Sequence, residues 1–511
     1  MSKVIIGKYA LESLTSGMYA DAFVVYREYI QNAVDSIDNA FENGCLLSGQ
    51  EKVCVSLYPF EKRIEISDNG LGIAASEAER SLTGIGNSKK DISSSRGFRG
   101  IGRLAALSYC QKLTFETSYP GEQLASRLTI DASMLKELLI SKNASQDIPA
   151  EAVMDSVCLF EQFKVSSKVH YFKVTMDGID TGSNLLKPQL VKDYLEQVAP
   201  VPFDTEKFAW GNEIVRRVQQ CGYTIPQYKI QIHSPSETFE LSKPYRDSFL
   251  VDKARNVYDT IQNVVIHEIY NSENQVMAIV WAAHTNYVGT VVQRSIKGMR
   301  IRKGNIMVGD GQTLNTVFKD ARFNGWTIGE VYVRDSDLLP NARRDNFEET
   351  PTYLVFSEKM IVFASDITKQ IRAASLKRNS NLKVAIEKTE SVSKAAVYAL
   401  EKSRLSSREK GTISHKLNLT QKEVTSIHTS NDADGLFQEI AFGQLDMLIG
   451  KVQGATAYKA INLVDSLSKT EKKILERVFN AIQTQLTEAE TQKVADAILS
   501  EFAVKINTNT K

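Results

Sequence analysis

The chain has 511 residues, of which 42% are apolar and 24% charged, with 62 Lys and Arg against 61 Asp and Glu. That length is too great for one hydrophobic core, and at roughly 150 residues per domain it implies about three domains. A net charge of +1 excludes an overall electrostatic drive toward nucleic acid or acidic membranes, leaving only local patches.

The first strong pattern is Tyr26-Arg-Glu-Tyr-Ile-Gln-Asn-Ala-Val-Asp35. Tyr26, Ile30, Ala33, Val34, Ile37 and Phe41 recur at helical spacing and predict a helix that stops at Asn43-Gly44. Glu28, Asn32 and Asp35 line up along its other face, with no cation among them. Taken alone, that triplet reads as a solvated helix face. Strands are predicted near Val53–Tyr58 and Arg63–Ser67. The second strand runs into Asp68-Asn-Gly-Leu-Gly, where Gly70 and Gly72 permit a tight turn and a close approach by a ligand. Taken alone, this is a hairpin turn. Thr83-Gly-Ile-Gly-Asn-Ser-Lys-Lys90 and Ser93-Ser-Ser95 are polar and glycine-bearing. Gly97-Phe-Arg-Gly-Ile-Gly-Arg103 then opens the apolar run Leu104–Tyr109, and a glycine-rich loop at a helix start offers N–H groups that suit phosphate oxygens.

In this order and at these separations, the three stretches resemble the Bergerat-fold (GHKL) ATPases, the superfamily of gyrase B, Hsp90, histidine kinases and MutL. The resemblance implies ATP and Mg²⁺ as ligands. It makes Glu28 the general base, Asn32 a Mg²⁺ ligand and Asp35 part of the nucleotide pocket. Asp68 would accept the adenine amino group beside Gly70 and Gly72. Gly84, Ser88 and Lys89 would belong to an ATP lid. Gly97, Phe98, Arg99, Gly100, Ile101 and Gly102 would form the loop that wraps the phosphates. The loop Gly97-Phe-Arg-Gly100 is similar to that of MutL and MORC proteins.

Further along, Leu113–Thr117 and Ser126–Ile130 are predicted to pair across Tyr119-Pro-Gly-Glu122. Tyr171–Met176 reads as a strand and Pro188–Gln197 as a short helix, with Pro200-Val-Pro202 as a boundary. Tyr228–His233, Val264–Tyr270, Val276–Ala283 and Glu330–Arg334 are predicted strands of a second domain. Arg294-Ser-Ile-Lys-Gly-Met-Arg-Ile-Arg-Lys303 alternates basic and apolar residues. It reads as a solvated or edge strand, or else as a surface touching nucleic-acid phosphates. Leu339-Pro-Asn-Ala-Arg-Arg-Asp-Asn-Phe347 is similar to the middle-domain loop of Hsp90-type ATPases. Aligned on Asn341, Arg344 matches the arginine that reaches the ATP γ-phosphate, although Arg343 stands where Ser is usual and is the alternative.

Beyond Ser375 the sequence is helical. Ser468-Lys-Thr-Glu471 and Thr487-Glu-Ala-Glu490 read as capping boxes. Ile474, Leu475, Val478, Phe479, Ile482 and Leu486, then Val494, Ile498 and Phe502, form apolar stripes that need a partner, within the domain or on a second subunit. Five cysteines without metal-like spacing fit a reducing cytoplasm, and neither a signal peptide nor a membrane span is predicted.

The expected fold class is therefore α+β. Residues 1–205 would form a Bergerat-fold α/β sandwich that binds ATP, 206–375 a transducer-like middle domain, and 376–511 a helical C-terminal domain. The expected activity is that of an Hsp90-like, cytoplasmic conformational-switch ATPase, homodimeric and acting on an unidentified client or partner protein. The alternative is a nucleotide-gated DNA clamp of MutL or MORC type.

Overall fold

The computed structural model describes residues 6–15, 21–86, 100–140, 148–254, 256–379, 381–401, 405–426, 432–455, 457–458, 468–483, 485–487, 489–491, 493–495, 497–498 and 500. The chain divides into two compact units, Met1–Ala374 and Ser375–Lys511. Secondary structure is mixed α+β, with two large sheets and many helices.

In the first unit, α1 (Tyr9–Thr15) and α2 (Val24–Glu42) precede the hairpin β1 (Val53–Tyr58) and β2 (Arg63–Asp68), followed by α3 (Ala75–Thr83). Next come β3 (Lys112–Ser118), β4 (Leu124–Asp131), α4 (Ala132–Ile140), α5 (Ala150–Val157), β5 (Cys158–Lys164), β6 (Tyr171–Asp177) and α6 (Pro188–Val198). Then α7 (Gly211–Gln220), β7 (Ile230–His233) and β8 (Thr238–Glu240) complete an eight-stranded sheet of order β5-β4-β3-β6-β2-β1-β7-β8. Its strands alternate: Val53, Val55 and Leu57 of β1 and Ile64 and Ile66 of β2 are buried in one core with the apolar stripe of α2. The expected stop of α2 is present, with Gly44 left-handed at φ 66° and Cys45 N–H closing on the Ala40 carbonyl at 2.9 Å.

Two expectations for this sheet are corrected. The run after Gly102 is a 3₁₀ segment, Gly102–Ser108, in which Leu104, Ala105, Ala106 and Leu107 are all buried, more than a one-sided α stripe would cover. Tyr228–His233, expected in a second domain, instead supplies β7, which pairs parallel to β1. The prolines do not end the domain. The Pro200 carbonyl accepts from Tyr228 N–H at 2.9 Å and the Pro202 carbonyl from Lys243 N–H at 2.8 Å, so the extended run is a strap to which the later chain is tied.

The second sheet holds β9 (Ser248–Asp252), β10 (Val257–Tyr270), β11 (Val276–Thr285), β12 (Gly298–Lys303), β13 (Ile306–Val308) and β14 (Ile328–Val333) in the order β13-β12-β14-β11-β10-β9. Helix α8 (Pro351–Asn379) packs Phe356, Met360, Phe363 and Ile367 into the core of this sheet.

The basic stretch ends in β12 and corrects both readings offered for it. Arg300 and Arg302 do share one side, but that side is the interior, where they are 1% and 0% exposed. Glu330 on β14 is equally buried and accepts from both Lys243 Nζ (2.8 Å) and Arg302 Nε, as well as from Trp281 Nε1 (3.2 Å) and the Tyr332 hydroxyl (2.5 Å). Arg302 also donates to the Gln197 carbonyl at 2.6 Å, and Asn305 Nδ2 to the Pro226 carbonyl at 2.6 Å, joining the second sheet to the end of α6 and to the segment before β7. Buried charges persist only when paired, and one carboxylate here serves two cations.

The second unit contains α9 (Asn381–Glu401), α10 (Ser407–Ser426), α11 (Asp432–Gly454) and α12 (Lys469–Gln483), with Leu405–Ser406 pairing with Ala457–Tyr458. Leu417, Val424, Leu445, Leu448 and Val452 form its core. Both capping boxes are formed: Ser468 N–H donates to Glu471 Oε2 at 2.9 Å, and Thr487 N–H to Glu490 Oε2 at 3.0 Å. The expected stripe of α12 is split, with Leu475 and Phe479 buried but Ile474 and Val478 exposed. Phe502 lies outside the described residues.

Candidate active site

Helix α2 forms the floor of the site. Glu28 and Asp35 are 6% and 5% exposed and Asn32 is half-buried, so this face is no solvated surface despite its polarity. The helix is anchored at both ends: the Tyr26 hydroxyl donates to the Leu185 carbonyl (2.5 Å) and the Tyr228 hydroxyl to Asp38 Oδ1 (2.5 Å). Burial pushes the Tyr26 phenol well above its usual range, which keeps it a donor. Gly102 faces Glu28 so closely that a Cβ there would collide with Oε2 of that carboxylate. Gly100 is left-handed at φ 68°, so two of the loop glycines are required by geometry.

Asp68 ends β2, opposite Phe172 of β6 and on the edge of the α2 floor. Its carboxylate is buried, and Oδ1 accepts the Gly70 N–H at 2.9 Å. The following turn lies flat on α2. Leu71 N–H donates to the Ser36 carbonyl at 3.0 Å, and a Cβ at Gly70 would stand 2.7 Å from the Ile37 nitrogen. Gly72 is left-handed at φ 68° and presses on the Ser118 backbone. Ile73 N–H donates to Thr117 Oγ1 at 2.8 Å, and His170 Nδ1 meets the Gly70 carbonyl at 2.7 Å.

Gly84 caps the C-terminus of α3 with its N–H on the Arg80 carbonyl at 3.1 Å. Ile101 accepts from Leu104 N–H at 3.0 Å and is half-buried. Ser88, Lys89, Gly97, Phe98 and Arg99 lie outside the described residues. Arg103, the last residue of the glycine motif, donates to the carbonyls of Ser81 and Gly84, while its own carbonyl accepts from the Tyr29 hydroxyl at 2.8 Å. The motif alone does not distinguish this arginine from a phosphate-facing one.

The arginine loop meets the same helix. Arg344 Nε stands 3.3 Å from Glu28 Oε1, and Arg344 is 9% exposed, whereas Arg343 is exposed. Arg344 adopts φ 55°, a left-handed backbone uncommon outside glycine, and its carbonyl accepts from Gly309 N–H at 2.8 Å. Arg27 Nη2 donates to the Arg343 carbonyl at 2.9 Å, tying the loop to α2. Nothing in the sequence marks Arg27, Ser36, Thr117, His170 or Gly309 as partners, because each acts through backbone groups that folding brings close.

Residues 22–158 match the family described as histidine kinase-, DNA gyrase B-, and HSP90-like ATPase. These residues form a GHKL-type ATPase domain. No curated protein matches the chain. A GHKL ATPase domain implies ATP binding and hydrolysis in general, commonly with Mg²⁺. The residues present fit such a ligand. Buried side-chain atoms without a hydrogen-bond partner among the described residues include Arg27 Nε and Gln31 Oε1 of α2, and Glu28 Oε1, whose contact is the ion pair with Arg344. No group of three or more His, Cys, Asp and Glu among the described residues forms a metal cage. Among the described residues, no helix is long and apolar enough to cross a membrane.

Proposed function

We propose that the chain is an Mg²⁺-dependent, Hsp90-like ATPase in which docking of the arginine loop on the catalytic helix drives a conformational switch acting on another protein. The observation that carries this reading is the approach of Arg344 to Glu28, which brings an arginine from beyond the second sheet to the carboxylate of α2. Glu28 takes the proton of the attacking water, and Arg344 is close enough to pair with phosphate charge beside it. Asn32 holds Mg²⁺, which neutralises charge on the phosphates. Asp35 lines the pocket, and Asp68 accepts the adenine amino group on the turn shaped by Gly70 and Gly72. Gly84, Ser88, Lys89, Gly97, Phe98, Arg99, Gly100, Ile101 and Gly102 cover and wrap the phosphates. Because α2 packs on the first sheet and the arginine loop follows the second, a ligand gripped by both has different contacts when the loop is docked and when it is not, as a switch requires.

In this reading, α2 and the first sheet supply most of the ATP pocket, the second sheet and its arginine loop transmit its state, and 376–511 assemble a cytoplasmic homodimer through helix faces such as Ile474 and Val478. The DNA-clamp alternative rests on the MutL- and MORC-like phosphate loop; of the basic strand that would favour it, Arg302 is buried in an ion pair with Glu330 and Arg300 is buried against the carbonyls of Arg294 and Lys297. The test is limited proteolysis with and without a non-hydrolysable ATP analogue and Mg²⁺. Wild type becomes protected on analogue binding, and Arg344→Ala binds the analogue without gaining protection. Equal protection of both proteins contradicts the switch, and salt-dependent binding of duplex DNA favours the clamp.

A further inference from the structure

The turn that carries Asp68 is held from the opposite strand by a residue that the reading above does not use. Continuing the β2–β6 register past the pair Asp68 and Phe172 sets position 70 against position 170. There His170 Nδ1 lies 2.7 Å from the Gly70 carbonyl oxygen. A carbonyl oxygen only accepts, so Nδ1 carries the hydrogen and donates it, whether the ring is neutral or charged. Gly70 is thus fixed on both sides, its N–H by Asp68 Oδ1 at 2.9 Å and its C=O by His170. From below it is fixed by sterics, since Ser36 and Ile37 of α2 leave no room for a Cβ.

We propose that His170 is a positioning residue for nucleotide-base recognition, acting through Gly70 on the carboxylate of Asp68. The proposal rests on the reading of Asp68 as the group that accepts the adenine amino hydrogen. A carboxylate at a strand end keeps one orientation only if the turn it bonds to is itself held, and His170 supplies the hold on the carbonyl side. Its effect falls on binding, because Glu28 and Arg344 stand at other positions on α2 and its arginine loop.

The experiment compares ATP binding, KM and kcat for wild type, Asp68→Asn, His170→Ala, His170→Asn and His170→Gln, each checked for a cooperative thermal transition. An Asn amide places an N–H near the position of Nδ1, and a Gln amide near that of Nε2. Loss of one hydrogen bond predicts about a threefold to tenfold rise in KM for His170→Ala with kcat unchanged. His170→Asn recovers most of the affinity and His170→Gln does not. His170→Ala binding ATP as wild type does, or Gln rescuing as well as Asn, overturns the proposal while the Asp68 reading stands. Should His170→Ala not fold, the Asn and Gln pair decides alone. If Asp68→Asn binds ATP as tightly as wild type, or wild type binds none, the underlying reading falls and this proposal with it.

Discussion

Arg344 and Glu28, at opposite ends of the first unit's sequence, lie 3.3 Å apart with their side chains 11% and 8% exposed. Glu28 is fixed by α2, and Arg344 by a loop whose backbone is tied to Gly309 and to Arg27.

This relationship separates the two adjacent arginines. Arg344→Ala lowers ATP turnover, by on the order of 10³-fold if it acts as such arginines do elsewhere. Arg343→Ala leaves turnover near that of wild type, because its side chain is exposed and only its backbone carbonyl, which the substitution keeps, accepts from Arg27. Steady-state phosphate release from the two variants checks this, and equal loss in both would assign the role to the loop rather than to Arg344.

Gly102 makes a second prediction. Gly102→Ala places a methyl group against Glu28 Oε2 and must displace that carboxylate. Misplacing a catalytic group by about 1 Å costs roughly 10²-fold, so kcat falls by that order while the adenine end of the pocket, and with it much of the affinity, is preserved. Calorimetric titration with ATP beside a turnover assay reads both quantities. Unchanged kcat would mean that Glu28 is not the base.

The buried network of Lys243, Arg302 and Glu330 makes a third, on stability. Glu330→Gln leaves two cations without their carboxylate and should cost about 3–5 kcal/mol, whereas Lys243→Met removes the surplus cation and should be neutral or stabilising. Chemical denaturation of both variants tests the asymmetry.

The same network sets a pH dependence. Burial, then repulsion from Arg302, pushes the Lys243 ammonium down to about 7, although Glu330 opposes the shift. In the unfolded chain the lysine keeps its proton to about pH 10, so between these values the unfolded state binds more protons. Stability from this group therefore rises as pH increases from 7 toward 10. The denaturation midpoint of wild type should rise across that window by more than that of Lys243→Met, since other titrating groups are common to both proteins. Parallel midpoints would mean that Lys243 titrates normally.

Much of the fold was legible because its signals are local. The stripe from Tyr26 to Phe41, the alternation in Val53–Tyr58 and the two capping boxes depend on neighbours a few residues apart, and each forms as expected. Tyr228–His233 was assigned to the wrong sheet because pairing with β1 is decided by Val53 and Val55, far away in sequence. Arg302 looked like a surface charge because its partner, Glu330, lies on another strand, and no spacing rule connects the two; Arg300 is buried against the carbonyls of Arg294 and Lys297. Within the site, Glu28, Asp68, Gly100 and Gly102 could be singled out by residue type and order. The groups that hold them, Ser36, His170 and Arg27, were invisible because their roles arise only when backbone atoms of distant loops meet them.

The most direct test is Mg²⁺-dependent release of phosphate from ATP by the purified full chain, measured beside Glu28→Ala with ATP binding followed for both. The account predicts that wild type turns ATP over only with Mg²⁺, and that Glu28→Ala binds ATP but turns it over about 10²- to 10⁴-fold more slowly. Wild-type protein that binds no ATP in the presence of Mg²⁺, or a Glu28→Ala variant as active as wild type, would contradict it.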